Sequence, residues 1–263
     1  LNKIALPGTL WLASDVHLGA NTPATSEAFR EFLKLAASEA DALLLPGDIF
    51  DAWIGDDVAV TAPPWLAQDL MALKLAASKI PVWLGCGNRD FLMGEALTAG
   101  LGAKLLPEQA LIESAAGNIL LSHGDEYCID DTAYQQFRAM VRNPAWQKGF
   151  LAKSIPERLA LAAQARDESM TANQSKSSEI MDVNPDAVAQ ALRAAGVSLM
   201  VHGHTHRPGR NIIPLDGKRC ERWVLPDWEC DHVAAGHQAR GGWLVIDADG
   251  LTLFDLDQED GKA

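Results

Sequence analysis

Five short aliphatic runs in this chain each stop at a polar cluster, and that repeated junction restricts the fold more than any other feature. Residues 9–13 lead into Asp15-Val16-His17, and residues 42–45 into Gly47-Asp48, with Asp51 three positions on. Residues 82–84 lead into Gly87-Asn88-Arg89-Asp90, 119–121 into His123-Gly124-Asp125, and 199–201 into His202-Gly203-His204-Thr205-His206. An apolar run ending in polar residues is the pattern of a buried strand that delivers side chains at its carboxyl end. Open α/β sheets bind ligands at that end. Any one junction is common in proteins, whereas five in order describe a site.

Helical spacing separates the runs. Phe29, Phe32, Leu33 and Ala36 predict a helix over 26–37, with Thr25 or Ser26 as cap, and Leu66, Leu70, Leu73 and Ala77 predict another over 64–78. Strand–helix alternation implies a layered α/β domain. Turn residues at 115–117 and 248–250 lie between strand-like runs and predict two hairpins, so the sheets are mixed and two sheets can pack between helices. Residues 132–176 interrupt the alternation with helices expected over 132–142, 145–152 and 156–170. A further helix is expected over 185–195, capped by Asn184 and ended by Gly196. The organisation expected is a core of 1–131 and 177–257, a helical insertion of 132–176 placed to cover the site, and a frayed end at 258–263.

Charge sharpens this division. The chain of 263 residues has 22 basic and 35 acidic residues, a net charge of −13. That balance disfavours nucleic acid as a partner. The insertion carries seven basic and three acidic residues, so it is +4 and the remainder −17. No signal-peptide pattern opens the sequence, and no apolar stretch approaches the ~18 residues needed to span a bilayer. Four cysteines without a Cys-x-x-Cys pair read as reduced thiols of a cytoplasmic protein.

Asp, Asn and His form a ligand set suited to Mn²⁺, Fe²⁺ or Zn²⁺. Asp15 and His17, two apart at a strand end, are expected on one face. A carboxylate such as Asp48 can bridge two cations, and a cation pair activates water against a phosphorus ester. Arg89 keeps its proton and cannot serve as a general acid, but it can neutralise phosphate oxygens bidentately. This favours a phosphoanhydride over an alkyl phosphate.

In this order the clusters resemble the calcineurin-like metallophosphoesterases, whose pattern is D-x-H, G-D-x-x-D, G-N-[HR]-[DE], H-G-D and G-H-x-H. The resemblance covers Asp15 to His206 and implies an αββα sandwich with a helical lid. One metal would take Asp15, His17, Asp48 and His206, and the other Asp48, Asn88, His123 and His204. His202 would be structural. Longer strings narrow the match. Phe50-Asp51-Ala52-Trp53-Ile54-Gly55-Asp56-Asp57, Gly87-Asn88-Arg89-Asp90-Phe91-Leu92, Asp130-Asp131 and Ile180-Met181-Asp182-Val183-Asn184 resemble the UDP-2,3-diacylglucosamine pyrophosphatase family. So do Asn173-x-Ser175-Lys176-Ser177 and Gly203-His204-Thr205-His206-Arg207-Pro208. Val16 departs mildly from the family's usual Asp-Leu-His-Leu, and the stretch after Pro226 matches less clearly.

That family implies hydrolysis of UDP-2,3-diacylglucosamine to UMP and 2,3-diacylglucosamine 1-phosphate with two Mn²⁺, a step of lipid A biosynthesis in a Gram-negative bacterium. Asn88, Arg89, His123 and His204 would be catalytic. Asn88, Arg89, Asp131, Arg166, Ser169, Asn173, Lys176 and His204 would touch substrate. The protein would be a cytoplasmic monomer attached peripherally to the inner membrane. Tyr134, Phe137, Met140, Trp146, Phe150, Leu151, Leu159 and Leu161 would either line an acyl chamber or form the insertion's own core. Two other readings remain open at this point: a broader nucleotide pyrophosphatase or phosphodiesterase acting on non-lipid substrates, and a non-catalytic metal-dependent binding protein.

Overall fold

The computed structural model of the chain describes residues 1–173, 182–233 and 238–256, with side chains as far as 167 in the first stretch. In order, the elements are β1 (Asn2–Ala5), β2 (Leu10–Leu12), α1 (Pro23–Glu39), β3 (Ala42–Leu45), α2 (Pro64–Ala77), β4 (Val82–Leu84), α3 (Glu95–Leu101) and β5 (Lys104–Leu105). The hairpin β6 (Gln109–Ser114) and β7 (Gly117–Ser122) follows, then α4 (Thr132–Val141), α5 (Pro144–Leu151) and α6 (Ile155–Asn173). The chain closes with α7 (Pro185–Ala195), β8 (Leu199–His202), β9 (Gly209–Leu215), β10 (Lys218–Val224), β11 (Gly242–Asp247) and β12 (Gly250–Asp255).

The strands form two six-stranded mixed sheets, ordered β1-β6-β7-β8-β10-β9 and β12-β11-β2-β3-β4-β5. Side-chain alternation explains their stacking. Leu10, Leu12, Ala42 and Leu44 face Ile112, Ile119, Leu121 and Val201 between the sheets. The alternate residues Trp11, Leu43 and Leu45 turn outward to pack with α1, α2 and α3 residues such as Phe29, Phe32, Leu70, Leu73 and Leu97. On the opposite outer face Leu120 and Met200 meet Val188 and Leu192 of α7. Strands buried on both faces read as unbroken apolar runs, which is why β2, β3 and β4 themselves carry no polar residue.

Several expected elements shift. Helix α1 begins at Pro23, so Thr25 and Ser26 lie inside it and neither is its cap. Its first N–H groups are met by Asp231, whose carboxylate accepts from the amides of Ala24 and Thr25 at 2.8 Å each. The cap comes from 206 residues away, where no local pattern could reveal it. The hairpin β9–β10 was not expected, although Asp216 and Gly217 at its turn adopt φ of 51° and 74°, the left-handed pair that an Asp-Gly turn supplies. The expected frayed end at 258–263 lies outside the described residues.

The insertion's positive charge has a structural use. Arg138 pairs with Asp125 at 2.8 Å and Arg142 with Glu108 at 2.8 Å. Arg158, almost fully buried, donates to the Ile54 carbonyl at 2.6 Å and pairs with Asp57, and Arg166 pairs with Asp51. Four of the seven basic residues are thus engaged by acids of the core, so opposite charge docks the helices on the sandwich. Trp146 and Phe150 join the core beside Trp53 and Leu92, while Phe137, Met140, Leu151, Leu159 and Leu161 are exposed.

Asn184 accepts from the amides of Asp186 and Ala187, as expected of a cap. Asn184→Ala should cost about 1 kcal/mol. Thermal melting should then show a midpoint lowered by ~2–4 °C. An unchanged midpoint would mean that the cap bonds contribute nothing net.

Candidate active site

The clusters converge where the carboxyl ends of β2, β3, β4, β7 and β8 meet, and backbone conformation is what aims them. Asp15 and His17 do not alternate along a strand, as the sequence suggested, because β2 ends at Leu12. They adopt φ of 55° and 54°, and Asp48, His204 and His206 have φ of 53°, 65° and 53°. Among the described residues these are five of the six non-glycine positions with positive φ. Such backbone costs energy for residues bearing a Cβ and persists where the surroundings enforce it. Here the enforcement is a ladder continuing past the strands: the Asp15 amide donates to the Gly47 carbonyl at 3.2 Å, and that of His17 to Asp48 at 3.0 Å.

Two groups of ligand atoms result, Asp15 with His17 and His206, and Asp15 with Asp48 and His123, each gathered within 4.8 Å. Asp15 belongs to both, and Asp48 to one. His17 Nε2 and His206 Nε2 lie 3.4 Å apart. The Asn88 side-chain oxygen lies 3.0 Å from His123 Nε2 and 2.8 Å from His204 Nδ1. All seven metal-ligand positions read from the sequence therefore stand at one place. A Cβ on Gly87 would overlap the Asp48 carboxylate, and one on Gly203 that of Asp15, so glycine at these positions lets the carboxylates approach the backbone.

The electrostatics fit a cationic occupant. Burial pushes the Asp48 carboxyl up to about 7, and nearby Asp90 and Asp15 add to the rise. Burial also drives His17 down to about 3 and His204 to about 4, leaving neutral imidazoles whose lone pairs can coordinate. Burial alone would lower His123, but Asp48, Asp15, Asp125 and Asp90 around it push it up to about 9. Buried carboxylates, neutral imidazoles and an amide oxygen, with no thiolate, form a donor set for divalent transition metals. His202 fits its structural reading: it is fully buried, its Nδ1 is 2.8 Å from the Gly203 carbonyl, and burial lowers it to about 3.

Other expected residues fall at different distances from this centre. Arg89 and Arg166 line a cleft of about 550 Å³ that opens beside His17 and His206. Asp131 caps α4, accepting from the Tyr134 amide at 3.0 Å. Ser169 and Asn173 fall on α6, where the backbone alone is described, and Lys176 lies outside the described residues.

The sequence reading missed several supporting groups. Asp90 accepts from the amides of Asp48, Ile49, Phe50 and Gly87 at 2.7–3.3 Å, tying the second cluster to the third. A carboxylate three residues after a strand-end glycine was the available signal. Ser14 donates to Asp15 at 2.5 Å. Tyr134, considered above for an acyl chamber, stacks on His204 with ring centroids 6.0 Å apart and donates to Asp125 at 2.6 Å.

A family model described as calcineurin-like phosphoesterase matches residues 8–208. A UDP-2,3-diacylglucosamine hydrolase of Bordetella pertussis is 66% identical over 260 residues, covering 99% of this chain and 100% of its own. One of Chromobacterium violaceum is 43% identical over 244 residues, covering 92% and 97%. Another, of Serratia proteamaculans, is 42% identical over 246 residues, covering 94% and 98%. The likeness first suggested by five strand-end clusters thus extends along the whole chain, which belongs to the calcineurin-like phosphoesterase family and, within it, to the family of UDP-2,3-diacylglucosamine hydrolases.

Proposed function

We propose that this protein hydrolyses the pyrophosphate bond of UDP-2,3-diacylglucosamine, giving UMP and 2,3-diacylglucosamine 1-phosphate, a step of lipid A biosynthesis. The observation that carries this reading is the full-length identity of 66% to a relative bearing that hydrolase name, supported by Asp15, His17, Asp48, His123 and His206 lying in groups that could hold a metal. Asp15, His17, Asp48 and His206 would hold one divalent cation, and Asp48, Asn88, His123 and His204 a second, with Mn²⁺ the expected metal. When bound, two such ions supply an activated water at neutral pH and neutralise developing phosphoryl charge.

The chain's own groups do the rest. Arg89, at the cleft wall, neutralises oxygens of the departing phosphate through its guanidinium fork. Neutral His204 can donate a hydrogen bond to a phosphoryl oxygen, and Tyr134 holds its ring in place. Helices α4, α5 and α6 would cover the centre and exclude water from the acylated half of the substrate. Arg166 reaches the cleft from α6, where a diphosphate would compete with Asp51 for it.

No helix among the described residues is long and apolar enough to cross a membrane. The exposed apolar residues of α4, α5 and α6, with exposed Lys148 and Lys153 among them, support peripheral contact with an anionic membrane surface. Replacing both lysines by glutamate should lower partition onto anionic vesicles in a flotation assay, and unchanged partition would remove that surface from the attachment.

Reaction in ¹⁸O water with Mn²⁺ should place the label in UMP, and chelation should stop turnover. Label in the lipid phosphate would reverse the point of attack. Comparable turnover of a non-acylated UDP-sugar would favour a broad pyrophosphatase instead. Asp48→Ala and His123→Ala should abolish turnover, whereas Arg89→Ala should lower kcat by ~10²–10³ with metal content retained. Loss of metal in Arg89→Ala, measured by elemental analysis, would contradict its role.

A further inference from the structure

We infer that Asp227, braced by Arg240, is a positioning residue that turns His206 so that Nε2, and not Nδ1, is presented to a divalent cation. This rests on the metal-binding reading above and goes beyond the seven ligand positions.

His206 needs an orienting partner. It follows β8 in a left-handed conformation, with φ of 53°, and its side chain is 39% exposed, so packing does not hold the ring. Its Nε2 lies 3.4 Å from His17 Nε2 and 3.4 Å from Asp15 Oδ1, facing the ligand group. Its Nδ1 points the other way, 3.5 Å from Asp227 Oδ2. A carboxylate on the distal nitrogen keeps the proton on Nδ1 and the lone pair on Nε2, which selects the coordinating tautomer and fixes the ring plane.

Asp227 is itself held rigidly. It is buried, and Arg240 donates to its Oδ2 from Nε at 2.8 Å and approaches it with Nη2 at 2.7 Å. The backbones of Glu229 and Arg240 exchange hydrogen bonds at 2.8 and 3.0 Å, which fixes the arginine stem. The Trp228 amide donates to the Asp15 carbonyl at 3.0 Å, so the segment carrying Asp227 is registered directly on Asp15, which His206 Nε2 also faces. Arg240 is 60% exposed and Asp227 only 6%, so solvent screens the pair from one side. A role in aiming His206 and a role in holding the fold predict different measurements.

Manganese titration of the metal-free full-length protein separates them. In Asp227→Ala one of two manganese equivalents should weaken by ~10–100-fold while the other keeps its affinity. The thermal midpoint of metal-free Asp227→Asn, which keeps the shape of the side chain, should stay close to that of the unaltered protein. In zinc-loaded protein the hydrogen-bonded Nδ1 proton of His206 should give a downfield resonance that is lost in Asp227→Ala. Asp227→Asn, whose amide oxygen can still accept, and Arg240→Gln should each weaken the same equivalent by less than Asp227→Ala does. Wild-type affinity at both equivalents, equal weakening of both, or persistence of the proton resonance would overturn the inference. If Asp227→Ala does not fold, wild-type manganese affinity in both milder variants would overturn it equally. The titration uses no lipid nucleotide, so a wrong substrate assignment would leave its result intact.

Discussion

Gathering buried carboxylates at the seam between two sheets is the constraint on which the rest of this structure depends. Asp15, Asp48 and Asp90 are almost wholly removed from solvent. A buried carboxylate left without partners would cost several kcal/mol. Backbone amides offset part of that cost. Asp90 takes four of them, Asp15 takes the His204 amide and the Ser14 hydroxyl, and Asp48 takes the Arg89 amide. At Asp48 and His204 a left-handed turn points the amide at a buried carboxylate while the side chain joins the cluster.

The same principle organises the site outward. Carboxylates not satisfied by backbone are satisfied by cations, and those cations come from elements far away in sequence. Arg138 and Arg142 from α4 reach Asp125 and Glu108, Arg158 and Arg166 from α6 reach Asp57 and Asp51, and Arg240 reaches Asp227. The acidic core and the basic insertion are thus complementary parts of one electrostatic arrangement. Two of these pairs, Arg166 with Asp51 and Arg240 with Asp227, line the cleft beside His17 and His206.

Much of this was legible in the sequence, and the limits are physical. Local patterns located β3, β4 and α7 to the residue, because those signals depend on neighbours three or four positions apart. All seven ligand positions were readable as well, since each must follow a strand and so carries an apolar run ahead of it. The cap of α1 was misplaced because its acceptor, Asp231, is 206 residues away. The excess charge of 132–176 could be counted in the sequence, but that four of its arginines engage core acids could not be read there, because their partners lie far away in the chain. Tyr134 was assigned by its ring alone, while its hydroxyl and its position over His204 decide what it does.

By itself, then, the sequence determined which residues could bind metal, the order in which strands present them, and the chemistry their side chains allow, because composition and spacing carry that information locally. Tertiary structure alone decided which ligand atoms come within 4.8 Å of one another, which way each imidazole faces, and which charges are consumed in docking the insertion. Those outcomes depend on approaches of a few ångströms between segments up to two hundred residues apart, and no local pattern encodes a distance of that kind.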